Sequence, residues 1–162
     1  MKRKYIILVC LAGLVIVIDQ ITKLYIAHNF NLHESVRVIP DFFNLTYIRN
    51  TGAAFGLLSK APESFRIPFF IIIPLLALTV IVLVFKKTHE TELLMITSLS
   101  LILGGAVGNF IDRLRFNYVI DFLDFHWFYK YHWPAFNVAD SAIVVGVGLL
   151  IYYTLVHDQQ GG

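Results

Sequence analysis

From Ile67 to Phe85 the chain runs IPFFIIIPLLALTVIVLVF without one ionisable side chain, and that stretch constrains everything else. A helix that crosses a membrane needs about 20 mostly apolar residues, because each adds about 1.5 Å across a hydrocarbon layer about 30 Å thick. Pro68 and Pro74 are compatible with such a helix, since neighbouring groups re-satisfy the backbone that proline frees. Three further segments follow the same rule: 5–26, interrupted by Asp19, Gln20 and Lys23; 93–111, rich in Ser and Gly; and 138–156. The sequence predicts an all-α membrane protein with four transmembrane helices. It forms one domain over 1–162, with spans at about 5–26, 67–85, 93–111 and 138–156 and two long loops, 27–66 and 112–137.

Composition agrees. Hydrophobic residues make up 57% and charged residues 15%, against about 45–50% and about 25% in soluble domains. So short a chain cannot bury that much apolar surface in its own core, so lipid covers part of it. A net charge of +2 with no basic tract beyond the N-terminus gives no footing for nucleic acid. A single cysteine, Cys10, excludes an internal disulfide and reads as a lipid-facing or packing residue. The first segment has the basic start of a signal peptide but no A-x-A-like cleavage site, so it is expected to stay as a helix.

Orientation follows from Lys and Arg near the span ends. Lys2, Arg3 and Lys4 flank the first span, and Lys86 and Lys87 fill the short link between the second and third. Both termini are therefore expected in the cytoplasm and both long loops outside. In the first loop SVRVIP alternates and FFNLTYI is aromatic and β-branched, with Pro40 and Asp41 as the turn, which predicts a small β-sheet on the membrane surface. The second loop, FLDFHWFYKYHWPAF, is crowded with aromatics and is expected to lie along the lipid–water interface.

The polar residues of the spans converge on one depth. Asp19 lies about 20 Å along the first helix, in its outer third. Asn109, Asp112 and Arg113 close the third span, Asp121 follows outside, and Asn137 and Asp140 open the fourth; Asn50 belongs to the first outer loop. Acids inside a membrane are costly and are functional candidates by default. Asp140 alone is explained by capping a helix N-terminus, but a cap does not explain several acids at one level. Asp19 and Lys23, four apart, are placed to pair on one helix face. Asp112 and Arg113 suit an ion pair with another acid.

What chemistry do these residues allow? No H-E-x-x-H, no G-x-S-x-G and no Cys–His arrangement is present. His126 and His132 have no third ligand spaced to help, so no metal is expected. Ser141 has no base on its helix face. Carboxylates are left. Two at close range share a proton, so one takes a proton from water while the other donates one, as in aspartic proteases.

At these residues the chain closely resembles the lipoprotein signal peptidase family, signal peptidase II. Five motifs match in order: DQITK (19–23), RNTGAAF (49–55), GGAVGNFIDR (104–113), VIDF (119–122) and FNVAD (136–140). The resemblance implies a bacterial intramembrane aspartic endopeptidase of the cytoplasmic (inner) membrane, multi-pass, with its active site near the outer face. It would remove signal peptides from prolipoproteins by cutting on the amino side of a diacylglyceryl-modified cysteine, without cofactor or metal. The implied catalytic pair is Asp121 and Asp140. Asp19, Lys23, Asn50, Gly52, Ala53, Gly104, Asn109, Asp112, Arg113 and Asn137 are implied to support the site or engage substrate. Prolipoproteins and membrane lipids are the implied partners, globomycin the implied inhibitor, and a monomer the expected state.

Asp124, three residues past Asp121, is a rival for the dyad and is read as a surface charge. Where the family often has glycine before V-x-D, this chain has Asn117-Tyr118, and Asn is suited to keep a positive-φ turn. Gly104, Gly105 and Gly108 permit close helix approach or room for a ligand. Gly52-Ala53-Ala54 offers a small-residue approach beside the substrate cysteine. The stretch 125–133 matches no family motif. A small proton-coupled transporter is the alternative, although such sites tend to lie at the midplane.

Overall fold

A computed structural model describes residues 2–52, 58, 61–128 and 130–158. Ala53 and Ala54 lie outside the described residues. Among the described residues four helices are long and apolar enough to cross a membrane: α1 (Arg3–Asn29), α2 (Glu63–Lys87), α3 (Leu93–Phe116) and α4 (Val138–Asp158). Each covers its predicted span and overruns one end or both by a few residues. α3 packs against the other three.

Glycine is what lets α3 sit so close. A Cβ on Gly104 would lie 2.9 Å from Val15 Cβ and 3.0 Å from the Ala12 backbone of α1, and one on Gly105 would press into Ala139 and Ile143 of α4. Gly104 therefore lies packed against α1.

Between α1 and α2, Ser35–Ile39 (β1) and Phe43–Asn50 (β2) form the expected hairpin, turning through Asp41 at φ 59°. The second loop departs from expectation. It is not only an aromatic interfacial loop, because Val119–Trp127 forms a third strand, β3, antiparallel to β2, and Tyr131–His132 adds a short β4. The sheet order is β1-β2-β3-β4. The strand was hard to see in the sequence because Val119, Ile120, Asp121 and Phe122 are all buried. A strand covered on both faces shows no apolar–polar alternation.

The sheet is joined to the helices by a core of Ile26, Tyr47, Ile120 and Phe122. α3 ends on Asn117 at φ 61°, whose N–H bonds the Arg113 carbonyl at 3.0 Å. Asn fills the left-handed position expected of it. At the opposite end, Lys4 belongs to the basic flank but is buried: its Nζ donates to the carbonyls of Lys86 (3.0 Å) and Thr88 (2.7 Å), satisfying the last turn of α2.

Candidate active site

Asn137, Asp140, Asn109, Asp121 and Asn50 come together at the sheet end of the helices. Asn137 caps α4: its Oδ1 accepts the Asp140 N–H at 2.9 Å, while Asp140 Oδ2 accepts the Asn137 N–H at 3.2 Å. This reciprocal box satisfies two backbone donors at the helix start. The capping explanation for Asp140 thus holds, yet it occupies only one oxygen. Oδ1 accepts from Asn109 Nδ2 at 2.7 Å, and the side chain still lines an open cleft.

Asp121 arrives on β3. Its Oδ1 accepts from Asn137 Nδ2 at 2.8 Å and its Oδ2 from Asn50 Nδ2 at 2.9 Å, with Asn50 held in turn by the Gly52 N–H at 3.0 Å. Asn137 therefore bonds both aspartates, one through its side-chain amide and the other through its backbone. Burial and then the charge of Asp140 raise the Asp121 carboxyl from 3.8 to about 7, against the bonds from Asn50 and Asn137 and the charge of Lys23. Asp124, an odd number of residues away on the same strand, points to the other face. It is half-buried, with Asn44 Nδ2 3.5 Å from its Oδ2, so it is more enclosed than the surface charge expected and lies apart from Asp140.

Beneath the pair lies a buried ionic cluster. Lys23 Nζ is 2.8 Å from Asp19 Oδ2 and 3.2 Å from Asp112 Oδ2, and it also donates to Asn109 Oδ1 at 2.9 Å. The Asp19–Lys23 pair is the one the spacing predicts; Asp112 takes Lys23 as its cation, not Arg113. Both acids hold backbone. Asp19 Oδ1 accepts the N–H of Ala139, the residue before Asp140, at 2.9 Å. Asp112 Oδ2 accepts the N–H of Ile120, the residue before Asp121, at 3.0 Å. One ammonium thus fixes the two points of backbone from which the paired acids project.

Gln20, passed over in the sequence, completes the cluster, donating to Asp112 Oδ1 at 3.0 Å and to Asp19 Oδ2 at 3.2 Å. Its place inside DQITK was the one available signal. The backbone N–H groups of Ala139 and Ile120 left none. Gly108 makes room, since a Cβ there would stand 2.7 Å from Asp19 Oδ2.

The cleft has a volume of about 820 Å³ and runs from the sheet to the α4 face. Asp121, Asp140, Asn109, Asn50 and Arg113 form its polar side; Trp133 to Phe136 and Ile143 to Val145 form apolar walls. Arg113 stacks 4.4 Å from the Phe70 ring centroid and donates to the Gly52 carbonyl at 3.3 Å. Asp19, Lys23, Asp112 and Gly104 stand behind this surface, outside the cleft lining. Among the described residues no group of three His, Cys, Asp or Glu side chains is placed to hold a metal.

Fold and site together define a multi-pass membrane protein with two carboxylates facing one cleft at the sheet end of its helices. The family model of signal peptidase (SPase) II matches residues 11–156. Proteins named lipoprotein signal peptidase are similar: that of Syntrophus aciditrophicus is 51% identical over 151 residues, covering 93% of each chain. That of Geobacter metallireducens is 49% identical, covering 93% of this chain and 91% of its own. A solved bacterial membrane enzyme superposes with a TM-score of 0.83 at 39% identity, covering 95% of this chain and 90% of the other. The chain belongs to the signal peptidase II family, and is a peptidase. Neither these relatives nor the gathering of the acids at one end of the helices favours a transporter.

Proposed function

We propose that this protein removes signal peptides from prolipoproteins by aspartic-protease chemistry, with Asp121 and Asp140 as the catalytic pair. The observation that carries the reading is the shared Asn137, which bonds both carboxylates where they face one cleft. Among the described residues Asp140 accepts from two donors, Asn109 Nδ2 and the Asn137 N–H, at a helix head. That environment suits an acceptor that takes a proton from water. Asp121, raised to about 7, is the member that holds the shared proton near neutrality and gives it to the substrate carbonyl. The hydroxide adds to the carbonyl carbon, and collapse of the diol returns a proton to the leaving amine.

The substrate is a prolipoprotein whose cysteine carries a diacylglyceryl group, cut on that cysteine's amino side. The apolar walls along α4 suit acyl chains that stay in the bilayer while the peptide bond reaches the acids. We place both termini in the cytoplasm and the cleft at the outer face of the bacterial inner membrane, from the basic residues at Lys2, Arg3, Lys86 and Lys87.

Purified protein incubated with a diacylglyceryl-modified prolipoprotein yields a shortened product that neither Asp121→Asn nor Asp140→Asn produces. Chelators leave the reaction intact and globomycin stops it. Cleavage by either mutant at the wild-type rate rejects the assignment.

A further inference from the structure

The stretch that matches no family motif has a place in the fold but no part in the proposed chemistry. Trp127, Phe128, Tyr131 and Trp133, on the β3–β4 hairpin, are 60–65% exposed. Clustered exposed aromatics mark a surface that something covers. The hairpin is held firmly: the Phe128 N–H bonds the Asp41 carbonyl at 3.0 Å, and the Trp133 N–H bonds the Phe125 carbonyl at 2.9 Å. Phe128 also sits at φ 50°, a region that bulky side chains avoid.

Three observations point to lipid as the cover. Beyond Trp133 the chain becomes the cleft wall, and the same cleft is lined by Val144, 70% exposed on a helix apolar enough to span a membrane. The aromatic edge is therefore continuous with a face that lipid covers. Second, Trp and Tyr are the side chains that favour the boundary between headgroups and acyl chains. Third, Lys130 lies beside them, its Nζ 5.6 Å from the Tyr131 ring centroid, where a cation meets phosphate.

We propose that the β3–β4 hairpin is a membrane-docking lip of the cleft. Trp127, Phe128 and Tyr131 seat in the headgroup–acyl boundary, and this holds the wall that begins at Trp133 against the bilayer surface, where a lipid-anchored substrate enters sideways. The docking does not depend on the peptidase assignment, since it concerns a surface and a solvent.

Trp127 and Trp133 are the chain's 2 tryptophans, so its tryptophan emission reports on this hairpin alone. The test reconstitutes the full chain in phosphatidylcholine vesicles in which a fraction of the lipid is brominated either high or low on the acyl chain. Lipid brominated near the headgroup is expected to remove about half or more of the emission, and the deep label clearly less. Trp133→Phe, which leaves Trp127 as the reporter, gives the same order. Emission from Trp127 that neither lipid quenches but aqueous acrylamide does overturns the proposal. Emission shielded from both lipid and acrylamide also overturns it, in favour of burial against the protein itself, within its own fold or against a second copy.

Discussion

Asp19 and Asp112 share one ammonium. Lys23 Nζ bridges them at 2.8 and 3.2 Å, with all three side chains 0–1% exposed. Their remaining bonds reach the Ala139 and Ile120 N–H groups, one residue before each acid of the proposed dyad. Residues that never touch the cleft therefore set the separation of those that do.

Removing the ammonium leaves two buried carboxylates facing each other. Lys23→Met is expected to cost about 3–5 kcal/mol, the usual penalty for breaking a buried pair. A thermal melt in detergent checks this, and an unchanged midpoint refutes it.

Asn137 combines a helix cap with a bridge to Asp121, and two substitutions separate the roles. Asn137→Ala loses both and is expected to destabilise by about 1 kcal/mol while sharply slowing cleavage. Asn137→Ser restores capping but is too short to reach Asp121. Its melting midpoint should return toward wild type while its rate stays low.

Each acid of the dyad is expected to contribute about 10²–10⁴-fold to the rate. Asp121→Asn and Asp140→Asn should therefore fall at least that far in initial-rate assays while keeping wild-type helical circular dichroism. Loss of helicity along with activity would instead mark a purely structural role.

The sign of the pH effect follows from the raised Asp121 carboxyl. The folded protein holds its proton up to about 7, whereas the ordinary value is 3.8. The folded state binds the extra proton, so this group's contribution to stability is complete below about 4 and declines as pH rises to about 7. Cleavage should likewise weaken on the alkaline side of about 7. In Asp140→Asn the neighbouring charge is gone and the Asp121 titration, followed by carboxyl infrared bands, should move to lower pH.

Gly108→Ala places a methyl 2.7 Å from Asp19 Oδ2, an atom already held by Lys23 at 2.8 Å and Gln20 at 3.2 Å. It is expected to cost about 1–3 kcal/mol and to slow cleavage by moving the α4 head. Gly148→Ala, with nothing within 4 Å, is the control and should be neutral or slightly stabilising.

Run length and charge were enough to read the four helices, because hydrocarbon thickness admits few lengths and excludes ionised groups. The β1–β2 hairpin was legible from its alternation and its turn, and the left-handed Asn117 from the glycine that the resembling family often carries at that point. The sequence also marked which polar residues share a depth. It did not show β3, whose first residues are covered on both sides, nor that Asp112 pairs with Lys23 in preference to its neighbour Arg113. Nor could it separate Gly104, pressed on α1, from residues that line the cleft. Local composition determines what each segment dissolves in and how it coils. Which acid faces which amide is decided only when α1, α3, α4 and β3 meet, because a hydrogen bond depends on ångström distances between atoms far apart in the chain.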